Sequence, residues 1–213
     1  MSYHVEAQGR DYLSWATTIL AVFAAAFMVT VWAPMQIRAL ESDSTSASAA
    51  AQPSWTSAGF QTLDGSQASF AGTNGHVRIA TLMYAHCPSS CPLAIDTLKR
   101  MQTQLPSDLR ARLTLIALTV NPTQDTLPTL AEFARERALP ASHWIVGRPS
   151  AQGVEQIAAG LGVSYRVLAD GSVDHQSAFA LLDSRGNLVA RTLRTAQVDP
   201  AFLAAVRAEL ARP

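Results

Sequence analysis

The chain has 213 residues, 48% of them hydrophobic, and a formal net charge of +0. Lys99 is its only lysine, arginine supplies the remaining positive charge and no basic run exceeds a pair, so nothing marks a nucleic-acid-binding surface. The length suits one domain of ordinary size beside a membrane segment, and no internal repeat divides it.

After a short tail at residues 1–12, residues 13–33 form an uncharged apolar run with Trp15 and Trp32 near its ends. At about 1.5 Å per residue a helix over this run spans roughly the 30 Å hydrocarbon core, and indole rings favour the interface. We expect a single transmembrane anchor there. A cleaved signal peptide is the alternative, but the small residues Ala49, Ala50 and Ala51 lie too far from the run for normal processing. Arg10 before the run and Arg38 after it leave the orientation undecided by charge. Residues 34–54 are small, polar and rich in Ser and Ala, the composition of a flexible tether, so the domain is expected at 55–213.

Within that domain, residues 60–70 with Asp64-Gly65 at the middle predict a hairpin, and 77–84 a buried central strand. Ala94, Leu98, Met101 and Leu105 recur at helical spacing, with Asp96 expected in the first turn and Pro92 at the first helical position. Residues 113–120 predict a second buried strand ending in the turn signal Asn121-Pro122. Leu130, Phe133, Ala134 and Ala138 mark a helix closed by Pro140, and 144–146 a short strand. Ser150 suits the cap of a helix carrying Val154, Ile157, Ala158 and Leu161, with Gly162 at its stop. Residues 179–182 and 188–193 predict a second hairpin, and Asp199-Pro200 opens a final helix with Leu203, Val206 and Leu210 on one face. This order is that of an α/β, thioredoxin-like fold, whose chemistry belongs at the ends of the parallel strands.

Both cysteines, Cys87 and Cys91, fall where the first buried strand gives way to a helix. Unpaired N–H groups and the positive end of the helix dipole favour thiolate there, and Cys91, nearer the helix start, is expected to carry the lower pKa. A structural disulfide across so short a loop would contribute little stability, and the flanking prolines and serines argue against two buried inert thiols. A redox dithiol, a soft-metal site or both remain. His175, after the turn at Asp170-Gly171, enters the second hairpin and would face the sulfurs in a thioredoxin-like fold. Two thiolates and an imidazole suit copper, with zinc as competitor, whereas a lone surface histidine is ordinarily inert. His4, His76 and His143 are read as such. His86 is read as pointing away from the sulfurs, with an auxiliary ligand role as the alternative.

The segment Cys87-Pro88-Ser89-Ser90-Cys91-Pro92, the loop 120–126 and Asp174-His175 together resemble the Sco/SenC family of membrane-anchored, thioredoxin-like proteins. The resemblance covers roughly residues 60–193. It implies Cys87, Cys91 and His175 as copper ligands, Cys87 and Cys91 as a redox pair, and a role in assembling the dinuclear copper centre of cytochrome c oxidase. The implied partner is the copper-centre subunit of the oxidase or another copper or thiol client. The implied location is a bacterial inner membrane, single-pass through residues 13–33, with the domain in the periplasm. Two alternatives stand beside a copper metallochaperone: a membrane-anchored thiol-disulfide oxidoreductase that carries no copper, and a copper or redox sensor. Ser89, Asn121 and Gln176 depart from the family pattern, which has an acidic residue, Asp, and Ser or Thr there; the first two changes remove negative charge near the site.

Overall fold

A computed structural model describes residues 54–73, 75–168 and 173–212. The tail at 1–12, the anchor expected at 13–33 and the tether up to residue 53 lie outside the described residues. Among the described residues, no helix is long and apolar enough to cross a membrane.

The centre of the fold is β3 (Val77–Met83), buried along its whole length. It runs parallel to β4 (Leu113–Thr119), which in turn runs parallel to β5 (Trp144–Pro149). The expected hairpins are present as β1 (Gly59–Thr62) with β2 (Gln67–Ser69), and β8 (Phe179–Leu182) with β9 (Leu188–Thr192). The first adds antiparallel to β5 and the second antiparallel to β3, giving the order β2-β1-β5-β4-β3-β8-β9. The β4-β3-β8-β9 portion, with its crossover helix, is the thioredoxin-like arrangement.

Period-2 alternation sends the strand side chains into two cores. Ile79, Met83, Leu115 and Ala117 pack with α1 (Ser90–Thr103), α3 (Leu127–Glu136) and α5 (Pro200–Leu210). Ala80, Leu82, Ile116 and Leu118 pack on the other face with α4 (Ala151–Leu161), Trp55 and Phe70. Gly160 makes that second core possible: a Cβ there would lie 2.1 Å from the Trp55 indole. Thr126, Ser150 and Asp199 cap α3, α4 and α5 by accepting first-turn N–H groups, and Gly162 ends α4 in the left-handed region at φ 65°.

The structure departs from expectation in several places. A short helix, α2 (Ser107–Arg110), precedes β4, and β5 runs on to Pro149. Residues before β8 form a separate hairpin of β6 (Tyr165–Val167) and β7 (Val173–His175). Helix α1 begins at Ser90, so Pro92 occupies its third position, where its missing N–H is still one of the unpaired ones, and Asp96 lies beyond the first turn. Arg78, the second residue of β3 and at the end of the strand away from the cysteines, is fully buried. Its guanidinium donates to the Phe70 carbonyl at 2.6 Å, Thr73 Oγ1 at 2.9 Å and the Asp183 carbonyl at 2.7 Å, tying the β2–β3 connection to the β8–β9 turn. Burial lowers its pKa, opposed by the charge of Asp183.

Candidate metal and thiol-redox centre

Because Met83 is in register with Thr119, the loops after β3 and β4 leave the sheet at one edge. Val120 N–H joins them through the Met83 carbonyl at 2.8 Å. Thr81 Oγ1 donates to the Ala178 carbonyl at 3.0 Å, which holds the segment between β7 and β8 alongside β3. That connection carries His175, the last residue of β7, across to the cysteine turn.

Cys87 lies in the loop, its N–H donating to the Tyr84 carbonyl at 3.2 Å. Ser89 stands at the N-cap of α1 without a side-chain capping bond. The sulfur of Cys87 takes that place. Its Sγ accepts the N–H of Cys91 at 3.2 Å and lies 3.3 Å from Ser90 Oγ. Cys91 turns its own side chain into the core, 1% exposed, with Sγ 3.5 Å from His175 Nε2. Both thiols are free and both cysteines are buried, against the expectation from the flanking prolines and serines, because Pro88, Ser89 and Ser90 take the exposed side of the turn.

These placements reverse the expected order of acidities. Burial acts to raise the Cys87 pKa, but hydrogen bonds from Cys91, Ser90 and the Ser89 backbone outweigh it, and the net shift is downward. Burial raises the Cys91 pKa strongly, and the hydrogen bond with Cys87 adds to the rise. The N–H groups at the helix start add to the lowering at Cys87, so the cysteine they serve is the one that precedes the helix.

Burial lowers the pKa of His175, with the Gln176 backbone and Asp174 opposing the shift. Its Nδ1 is buried without a hydrogen-bond partner. The Tyr84 ring packs edge-on against the imidazole, with centroids 6.1 Å apart. Asp174 points its carboxylate at Arg166, 3.2 Å away and exposed, rather than at the imidazole. A shallow cleft of about 390 Å³ opens beside His175, lined by Ser164, Tyr165, Arg166, Asp174 and Gln176. His86 is 72% exposed and faces Asp125 at 3.8 Å. His76 and His143 precede β3 and β5, at the opposite end of the parallel strands, and His4 lies outside the described residues. Among the described residues, no three His, Cys, Asp or Glu side chains are already gathered closely enough to hold a metal ion. The sulfur of Cys87 is engaged by the helix terminus, and that of Cys91 by the imidazole.

The SCO1/SenC family profile matches residues 49–211. The chain belongs to the SCO1/SenC family. No curated protein sequence matches it. Among solved structures, this SCO1/SenC protein is similar to Bradyrhizobium japonicum ScoI with copper bound, at 18% identity and a TM-score of 0.60, covering 71% of this chain and 96% of that one. It is similar to BsSco, a Sco-family cytochrome c oxidase assembly protein with a disulfide switch, at 21% identity and a TM-score of 0.62, covering 73% and 92%. A SCO1/SenC family lipoprotein from Bacillus anthracis str. Ames matches at 17% identity and a TM-score of 0.63, covering 71% and 91%. At these identities the likeness establishes the fold.

Two site residues were not singled out from sequence. Tyr84 ends an apolar run and reads as one more core side chain, and Asp125 reads as part of a polar loop. Burial pushes the Tyr84 phenol up, and the neighbouring Cys87 adds to the shift. Asp125 is 1% exposed and takes up the Ala85 N–H at 3.0 Å. The sequence signal for each is weak: an aromatic beside the cysteine turn, and an acidic residue in a loop otherwise free of charge.

Proposed function

We propose that this SCO1/SenC protein carries copper on Cys87, Cys91 and His175 and serves in assembling the dinuclear copper centre of cytochrome c oxidase. Residues 13–33 anchor it in a bacterial inner membrane, and the domain at 55–213 faces the periplasm. The observation that carries this reading is the 3.5 Å approach of Cys91 Sγ to His175 Nε2, with Cys87 on the same turn. Two soft sulfurs and an imidazole are a copper-type donor set. A copper ion is cargo here, and loading it takes the protons from the thiols. Cys87 gives up its proton readily. Cys91 holds its proton until the cation replaces it. A change of side-chain conformation at Cys87 completes the set, releasing the Cys91 N–H it accepts.

The copper-bound ScoI relative and the oxidase-assembly role named for BsSco support this reading. The lipoprotein relative supports a membrane-tethered domain. Thiol chemistry and copper transfer to an oxidase centre suit the oxidising side of the membrane. Protease added to intact spheroplasts should therefore digest the domain while cytoplasmic markers survive, and its protection would contradict the orientation.

The unequal acidities of the thiols favour a second reading, reduction of a client. Cys87 thiolate attacks a client disulfide, one client sulfur leaves as thiolate, and Cys91 then resolves the mixed disulfide. The products are a client dithiol and a Cys87–Cys91 disulfide, with the electron pair passed from this chain to the client. Metal analysis of the reduced protein purified from copper-supplemented cells separates the two. One copper per chain supports the carrier, and no copper leaves the reductase.

A further inference from the structure

Between the two loops that build the site lies a buried carboxyl group with no contact to either sulfur. Asp125 Oδ2 accepts the Ala85 N–H at 3.0 Å and the Thr119 hydroxyl, while Oδ1 lies 3.8 Å from His86 Nδ1. Thr119 Oγ1 also accepts the Asn121 N–H at 2.9 Å, and the Asp125 N–H donates to the Asn121 carbonyl at 2.9 Å. The side chain is thus fixed from its own loop and grips the other loop two residues before Cys87. A carboxyl group taken out of water is costly unless its oxygens find donors, and this one is 1% exposed with donors supplied by β4 and by the cysteine loop. Val120 N–H to Met83 O already joins the strand ends. What Asp125 adds is the placement of Ala85, and with it the start of the turn in which the Cys87 N–H returns to Tyr84.

We infer that Asp125 is a positioning residue of the thiol centre, fixing the Ala85–Cys87 turn so that Cys87 Sγ meets the N-terminus of α1 and Cys91 Sγ stays at His175. This rests on the proposed copper and thiol chemistry of that site, yet it has a readout in the metal-free protein. Loss of the strut frees the dithiol turn and changes the difference between dithiol and disulfide forms.

The test uses the full-length protein in detergent and compares wild type with Asp125→Ala, Asp125→Asn and Gly160→Ala. The dithiol–disulfide equilibrium is titrated against glutathione, and copper is titrated in parallel. In Asp125→Ala the equilibrium constant shifts by about tenfold or more, which is about 30 mV for this two-electron couple. Copper binding weakens by about 10–100-fold, as when a partner that orients a ligand is removed. Asp125→Asn, which keeps an oxygen for the Ala85 N–H, stays within about threefold of wild type on both. Gly160→Ala strains the fold away from the site and leaves the redox constant unchanged.

Wild-type values in Asp125→Ala overturn the inference, as does an equal redox shift in Gly160→Ala, which would make the effect one of general destabilisation. If Asp125→Ala does not fold, Thr119→Val replaces it. That variant removes one of the donors that hold the carboxyl group, and a wild-type redox constant there overturns the inference. If wild type binds no copper but the redox shift appears, the copper reading falls and the positioning role stands.

Discussion

Cys87 Sγ accepts the backbone N–H of Cys91 at 3.2 Å, so one cysteine caps the helix that carries the other. Side-chain hydrogen bonds with Cys91 and Ser90, with this backbone contact beside them, lower the pKa of Cys87, while burial raises that of Cys91, whose sulfur is directed at His175. The two thiols are therefore chemically unequal.

Alkylation of the two single variants measures that inequality. In Cys91→Ser, which keeps a hydroxyl near Cys87, the remaining thiol should react with iodoacetamide at a pH below the free-thiol value of about 8.5. In Cys87→Ser, Cys91 should react slowly up to pH 9. The opposite order would return the low-pKa role to Cys91.

The buried imidazole makes stability depend on pH. The pKa of His175 is lower folded than unfolded, so the unfolded chain takes up its proton first. Its contribution is present in full above the unfolded value of about 6.5 and declines as pH falls below that toward the folded value. Urea unfolding of the metal-free protein should show wild type losing stability more steeply than His175→Gln as pH falls below about 6.5. Parallel curves would contradict the assignment.

Arg78→Met tests the fold independently of the site. The substitution leaves the Phe70 and Asp183 carbonyls without their guanidinium donor, and should cost about 2–4 kcal/mol in urea unfolding. Because Arg78 stands at the far end of β3 from the cysteines, thiol reactivity of the folded protein should be unchanged.

Gly160→Ala should destabilise by about 1–3 kcal/mol, since its Cβ would collide with the Trp55 ring on a helix where alanine is otherwise preferred. Added stability in thermal unfolding would mean that Trp55 does not pack as described.

The strands and helices around the site were legible because burial leaves its mark in the sequence: 77–83 is apolar but for Arg78 and Thr81, 113–119 is apolar but for Thr114 and Thr119, and the caps at Ser150 and Asp199 are local chemistry. The approach of His175 to the cysteine turn followed from topology. The acidities did not. They depend on which way each side chain turns from a helix start that lies two residues earlier than Pro92 suggests. Arg78 and Asp125 were illegible for a related reason, because their partners include backbone groups that leave no mark in sequence. The β6–β7 hairpin is too short to show a pattern.

The most direct test of the copper reading is a Cu(II) titration of reduced wild type and His175→Ala, following the thiolate-to-copper charge-transfer absorption, with a glutathione titration of each. Imidazole suits the oxidised ion, and two thiolates alone do not hold it well. The account predicts intense absorption saturating at one equivalent in wild type and severe loss in His175→Ala, with the Cys87–Cys91 equilibrium nearly unchanged. Equal Cu(II) binding by both proteins would contradict it, removing His175 from the ligand set and moving the reductase reading to first place.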